Sequence, residues 1–448
     1  MGSYSSALLS SLFIVQPDKI IQLNKSILAK YSWLIVLLYI ALLPTKSFYN
    51  IPIIIFAVAG ITLIFFQWTM CYENNNIKRF GLVFLCIWIP MILSLPDAVN
   101  FQESFRKVLS FAAYYLMGVA VIYLLTNEAR RRYLINGIGV LLVIWCLDAV
   151  WQSYAGSNLL GFPYETQLSG VFYPKVRLGL ILAILSPFYF EFIRQHAKKY
   201  SWLALLLIPY IYVIILSGNK SSWVMLVISV LLYIIYLSLS GSLSRLKKSH
   251  VIIALVICFT GIILLSNVSK IIPENKAIWI EDRMHSMVSL LSGDIDNAGA
   301  SFQHRIMIWE GAIRVARDHW INGVGPRGFR YIVDDYIVSD GKFYISEVAR
   351  GSTHPHQILL EILTETGIIG VIGYLLFCIL ILKEAMKLIR EKNYDALPWI
   401  FPVIIAVFPI NMYKAFYGHY TATLIWVLIA LSFTSKTIEH GYLRCDHK

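Results

Sequence analysis

Residues 201–240 read SWLALLLIPYIYVIILSGNKSSWVMLVISVLLYIIYLSLS. Two apolar runs, 201–216 and 223–240, flank one short polar turn, Ser217-Gly-Asn-Lys220-Ser-Ser. Crossing roughly 30 Å of hydrocarbon takes about 20 apolar residues in a helix, because every backbone N–H and C=O must be satisfied within the segment. The pattern is therefore that of two membrane spans joined at one face. Working outward, similar runs recur along nearly the whole chain, with approximate cores at 32–44, 50–70, 80–96, 107–125, 134–152, 177–193, 251–266, 366–382, 397–412 and 421–435. The expected fold is an all-α polytopic membrane protein of about twelve transmembrane helices. Residues 1–266 would hold spans one to nine, 267–356 a large and partly helical periplasmic loop, and 357–448 spans ten to twelve with a short cytoplasmic tail.

Composition agrees. Of 448 residues, 58% are hydrophobic, and the mean hydropathy of +0.66 lies outside the range of soluble domains. The net charge of +12 invites a nucleic-acid reading, but the charges fall in alternate loops. Arg130, Arg131 and Arg132 form one group, Arg194, Lys198 and Lys199 a second, Arg245, Lys247 and Lys248 a third, and Lys383, Lys387, Arg390 and Lys392 a fourth. The positive-inside bias makes those loops cytoplasmic. An even number of spans then puts both termini in the cytoplasm, in a multi-pass inner-membrane protein. Nucleic acid is not an expected partner; membrane lipids are.

The six cysteines lie in spans or at cytoplasmic ends, so neither a disulfide framework nor a thiolate metal cluster is expected. Asp18 and Lys19 interrupt the first apolar stretch, so no cleavable signal peptide is read there.

Two outer segments are long, 153–176 and 267–356, and a site is expected where irregular backbone is available. Within the larger one, 302–320 reads as an amphipathic helix with Trp309, Ala312, Ile313 and Ala316 on one face and Glu310, Arg314 and Arg317 on the other flank. Gly323-Val-Gly325-Pro then stops it as a turn, since no strand, helix or ribose-binding acid surrounds it as a dinucleotide fingerprint requires. A second helix is expected to begin at Thr353-His354-Pro355-His356, with proline at the first helical position and His356 in the first turn. Gly367 ends or bends it.

Three cations run against the positive-inside bias at outer span ends: Arg177, Lys220 and Arg305. Together they can hold a diphosphate at the membrane surface. Singly, each can snorkel to headgroups or pair with an acid, Glu165 for Arg177 and Glu310 for Arg305. A neutral imidazole at His356 can take a proton from a hydroxyl nucleophile, with His354 assigned to substrate positioning; either can instead cap the helix. No third ligand accompanies them at metal spacing, so no metal and no cofactor is expected. Glu361 and Glu365, four apart, can be read as an acid pair, although such spacing more often marks a solvated face or partners for loop arginines.

His356-Gln357, nine residues, then Gly367-Ile-Ile-Gly370 matches His, Asn/Ser/Gln, nine of anything, Gly, two of anything, Gly/Thr/Tyr. This resembles the signature of bacterial O-antigen ligases, which are grouped with O-antigen polymerases and protein O-oligosaccharyltransferases. The motif closes the one large outer loop, as in the ligases. Arg305-Ile-Met-Ile-Trp309 before Gly323-Val-Gly-Pro326 resembles the family's Arg-and-Trp helix and its turn. Ser217-Gly-Asn-Lys220 resembles an outer turn that usually carries Ser-Arg, and lysine there keeps the charge without bidentate geometry.

The resemblance implies a GT-C-like architecture and a metal-independent glycosyltransferase with a periplasmic active site. The donor would be polysaccharide on undecaprenyl diphosphate and the acceptor a sugar hydroxyl of lipid A-core, with inversion if attack is in line. An O-antigen polymerase shares this chemistry. Protein O-oligosaccharyltransferases usually carry a further soluble C-terminal domain, whereas thirteen residues follow the last span here. From another class, a lipid-linked sugar transporter or flippase would show repeated halves and midplane ionisable groups. Here Asp148 and Glu191 lie near span ends, and the polar residues gather in one loop.

Overall fold

The computed structural model describes residues 17–242, 300–337, 352–409 and 415–434, with isolated positions at 278, 282, 285 and 289. The backbone elements in chain order are α1 (Pro17–Leu42), α2 (Asn50–Phe66), α3 (Trp68–Glu73), α4 (Asn75–Leu93), α5 (Phe101–Leu124), α6 (Glu128–Ala155), α7 (Leu178–Ala197), α8 (Leu207–Leu216), α9 (Lys220–Leu239), α10 (Ala300–Asp318), α11 (Val333–Tyr336), α12 (Ile358–Arg390), α13 (Leu397–Ala406) and α14 (His419–Ser432). Among the described residues there is no strand, only one isolated bridge between Ser157 and Pro163.

The protein is a polytopic membrane protein. Six helices, α4, α5, α6, α7, α9 and α12, are long and apolar enough to cross a bilayer, and five shorter apolar helices lie at 27–42, 50–66, 201–216, 394–406 and 419–432. These eleven fall on expected spans; the expected span 251–266 lies outside the described residues. The outward faces are greasy, as contact with lipid requires: Phe65 is 78% exposed and Val227 58%. Inward, Trp426 of α14 meets Phe80 and Phe84 of α4, Phe111 of α5 and Phe377 of α12, with ring centroids 5.2 to 6.4 Å away. One buried indole thus ties four helices together, and such aromatic pairs add specificity beyond their buried area. At the end of α12 that carries Arg390, Arg79 Nη1 of α4 donates to both oxygens of Glu384, each at 3.0 Å.

The segment after α6 is pinned by two buried residues of that helix. Asp148 accepts from Asn158 Nδ2 and the Leu159 N–H. The Gln152 amide donates to the Phe162 and Pro163 carbonyls and accepts from the Gly170 N–H. Asp148 is thereby absorbed by a loop. Glu191 is likewise absorbed, by Arg194, Gln195 and Tyr233.

Helix α10 covers the expected amphipathic stretch, but its buried face differs from the expected one. Met307, Ile308, Ala312, Val315 and Ala316 are buried, and Ile313 is 45% exposed. Phe329 and Val333 pack on Ile308 and Ala312, which selects a stripe rotated from the one read from the sequence. Both stripes have helical spacing; the partner chooses between them.

Candidate active site

Helix α12 is broken at Gly367, whose φ of 64° and ψ of −163° are not helical. In an unbroken helix the Ile368 N–H would donate to the Thr364 carbonyl. Here each finds a partner in the turn after α10: the Val324 N–H donates to Thr364 O at 2.9 Å, and the Ile368 N–H donates to Trp320 O at 2.8 Å. The Gly-Val-Gly turn therefore inserts itself into the missing helical hydrogen bond, which leaves those groups satisfied beside the membrane. The fit is tight on both sides. A Cβ on Gly367 would lie 2.0 Å from Ile321 O, and one on Gly323 2.5 Å from the Glu365 carbonyl carbon. The same turn reaches the start of α5, where the Val99 N–H donates to Val324 O and Ser104 Oγ donates to Pro326 O.

Ahead of the break, α12 begins at Ile358, not at residues 353–356 as expected. Gln357 is the N-cap, its side chain accepting from the Leu360 N–H and donating to Pro409 O. His356 has φ of 57°, a left-handed conformation that cannot lie inside a right-handed helix, so it stands just before the cap. The helix dipole consequently reaches it from outside the first turn rather than from within it. Pro355 is not the first helical residue; its carbonyl accepts from the Trp309 indole at 2.9 Å, which ties the histidine loop to α10. The two imidazoles face each other with centroids 4.0 Å apart. His354 is buried beside Thr353 Oγ1 at 3.0 Å, and His356 is partly open.

Arg305 lies one turn before Trp309 on the same side of α10, which brings its half-buried side chain near the histidine loop. Arg177 and Lys220 lie elsewhere. They flank the abutting starts of α7 and α9, where a Cβ on Gly179 would lie 1.9 Å from Ser217 Oγ. Lys220 is the first residue of α9, behind the N-cap Asn219. The Arg177 guanidinium lies 3.9 Å from the ring centroid of Tyr420. No carboxylate among the described residues pairs with Arg177. The expected partner Glu165 accepts instead from Tyr173 Oη at 2.9 Å, a bond that pushes the phenol's pKa up. Gln357 donates to Pro409 O in the segment before α14, and Tyr420 of α14 lies under Arg177.

Glu361 and Glu365 overturn the solvated-face reading. They are 1% and 0% exposed. Glu361 accepts from the Phe416 and Tyr417 N–H groups, and Glu365 from the Arg327 N–H at 2.6 Å. Lys107 and Arg327 are the cations whose fields act on both carboxyls. The glutamates thus hold two turns against α12, one leading to Tyr420 and one carrying Arg327. We expect Glu361→Ala to lower stability by about 3 kcal/mol, because two buried N–H groups lose their acceptor. Glu361→Gln, which keeps one oxygen, should recover roughly half of that, as read from thermal unfolding in detergent.

Three polar residues at this end of the bundle were not singled out in the sequence: Lys107, Arg327 and His419. Helical spacing gives no sign of the first two, which are ordinary surface residues until the break in α12 is formed. His419 Nε2 lies 2.6 Å from Asn50 Oδ1 and Nδ1 lies 2.7 Å from Tyr114 Oη. With both ring nitrogens engaged, it is a linker between α2, α5 and α14 rather than a free base. Among the described residues no three His, Cys, Asp or Glu side chains converge as a metal site.

Residues 202–375 match the family model described as O-antigen ligase. Over those residues the chain is similar to the O-antigen ligase family. No curated protein matches the chain. The O-antigen ligase region contains Lys220, Arg305, both histidines, Gly367 and Gly370, while Arg177 precedes it. The likeness supports a glycan-transferring enzyme of ligase or polymerase type, acting on lipid-linked polysaccharide.

Proposed function

We propose that the chain is a ligase that moves O-antigen polysaccharide from undecaprenyl diphosphate to a sugar hydroxyl of lipid A-core, on the periplasmic face of the inner membrane. The observation that carries the reading is the paired imidazole loop within the O-antigen ligase region, held by Trp309 on one side and by the Gln357 cap on the other.

In the proposed step His356 removes the acceptor hydroxyl proton, and the oxygen bonds to the anomeric carbon. The bond from that carbon to the diphosphate oxygen breaks, and its electron pair leaves on undecaprenyl diphosphate. Attack in line inverts the anomeric centre. Arg177, Lys220 and Arg305 neutralise the leaving diphosphate, supplying the electrostatic stabilisation that a divalent metal supplies elsewhere. His354, buried against His356, positions the acceptor.

The test is purified protein with undecaprenyl-diphosphate-linked glycan and lipid A-core, with and without chelator. Glycan on the core in both arms is the expected result. Lengthened lipid-linked chains with bare core would replace the ligase by a polymerase, and loss of transfer on chelation would overturn metal independence. On α10, Arg305→Lys should lower transfer about tenfold through lost bidentate contact with phosphate. Arg317→Lys, at an exposed position of the same helix, should leave it unchanged.

A further inference from the structure

At the end of the bundle opposite the histidine loop, the first turns of α6, the last turns of α7 and the segment leading into α13 enclose a cavity of about 1000 Å³. Its lining carries both signs of charge. Arg194 and Glu191 satisfy each other at 2.6 and 2.8 Å, and Arg132 pairs with Glu128 at 3.7 Å. Arg131 is different. Its guanidinium lies 4.6 Å from the ring centroid of Trp399, and its buried Nε has no hydrogen-bond partner. Glu128 and Asp395 act on it electrostatically, yet neither lies within ion-pair distance among the described residues. On the same cavity wall, the buried Asn136 Oδ1 accepts from no donor.

A buried guanidinium Nε–H without an acceptor and a buried amide oxygen without a donor are each costly, so a ligand that supplies both partners is favoured. It must carry an anionic acceptor for Arg131 and a cationic or hydroxyl donor for Asn136, with Asp395 complementing the donor. The cavity also opens where the spans α6 and α7 end, at the level of lipid headgroups. We infer that this cavity binds the phosphoethanolamine headgroup of a phospholipid, with the phosphodiester on Arg131, the ammonium toward Asn136 and Asp395, and the acyl chains along the exposed faces of the spans. The site is independent of the proposed transfer reaction, since it lies at the other end of α6, α7 and α12.

The experiment reconstitutes the full chain in nanodiscs of equimolar phosphatidylethanolamine and phosphatidylglycerol, and counts the lipids that stay bound by native mass spectrometry. Retention of phosphatidylethanolamine in preference to phosphatidylglycerol is the expected result, with Arg131→Gln lowering retention roughly tenfold. Asn136→Leu keeps the guanidinium and should erase the preference between the two lipids while leaving total binding intact, so the inference stands or falls even if Arg131→Gln does not fold. Equal retention of both lipids by the unaltered protein would overturn it. Displacement of bound lipid by inorganic phosphate would also overturn it, and would assign the cavity to a soluble phosphate.

Discussion

Alanine at position 367 is expected to abolish glycan transfer while leaving the chain in the membrane. The φ and ψ of Gly367 lie where only glycine is commonly found, which costs a residue with a Cβ about 1 to 3 kcal/mol. The added atom would also lie 2.0 Å from the Ile321 carbonyl oxygen. That oxygen belongs to the turn plugging the helix break, so the turn must leave and expose the Thr364 C=O and Ile368 N–H together. Overpacking of this kind adds about 1 to 3 kcal/mol. Gly156→Ala is the control: its φ is 80°, but a Cβ there meets nothing within 4 Å. It should cost about 1 kcal/mol and leave transfer intact. Thermal unfolding and a transfer assay on both variants decide the matter; wild-type stability in Gly367→Ala would sink the account of the plugged helix.

The second large effect is expected at His356. Removing a general base typically costs about 100- to 10,000-fold in rate. The left-handed backbone at this position makes asparagine a cleaner replacement than alanine, because histidine and asparagine are both enriched there and a loss of activity then reports the imidazole rather than backbone strain. We expect His356→Asn to fold as the parent does and to transfer at background rate. His354→Asn should retain measurable turnover with a raised KM for the acceptor, since the buried ring positions rather than reacts. Equal losses in the two variants would remove the distinction between base and positioning residue.

The site was legible in the sequence in part. Gln357, Gly367 and Gly370 stand in the motif beside His356, and each has its own physical role. Gln357 caps α12, Gly367 breaks it, and Gly370 packs where a Cβ would lie 1.8 Å from Thr366 Oγ1. Spacing locates these residues without disclosing what each does. The start of α12 was misplaced because proline suits a first helical turn, and only the cap geometry at Gln357 excluded Pro355 from that position. For the glutamates the loop-arginine reading holds at Arg327 and the solvated face does not, because four-residue spacing says that two side chains share a face, not which face is buried.

What the sequence determined alone is the membrane class, the positions of the apolar helices, the asymmetry of charge between loops and the motif that resembles the O-antigen ligase signature. These follow from one-dimensional constraints: hydrocarbon thickness fixes the length of an apolar run, and loop charge is counted along the chain. The tertiary structure decided which groups meet. It paired Val324 with Thr364, placed Arg177 on Tyr420, buried Glu361 and Glu365 against backbone N–H groups, and turned α10 toward Phe329 rather than along the expected stripe. Such choices depend on where unsatisfied backbone groups from distant segments find partners, and helical periodicity carries no record of them.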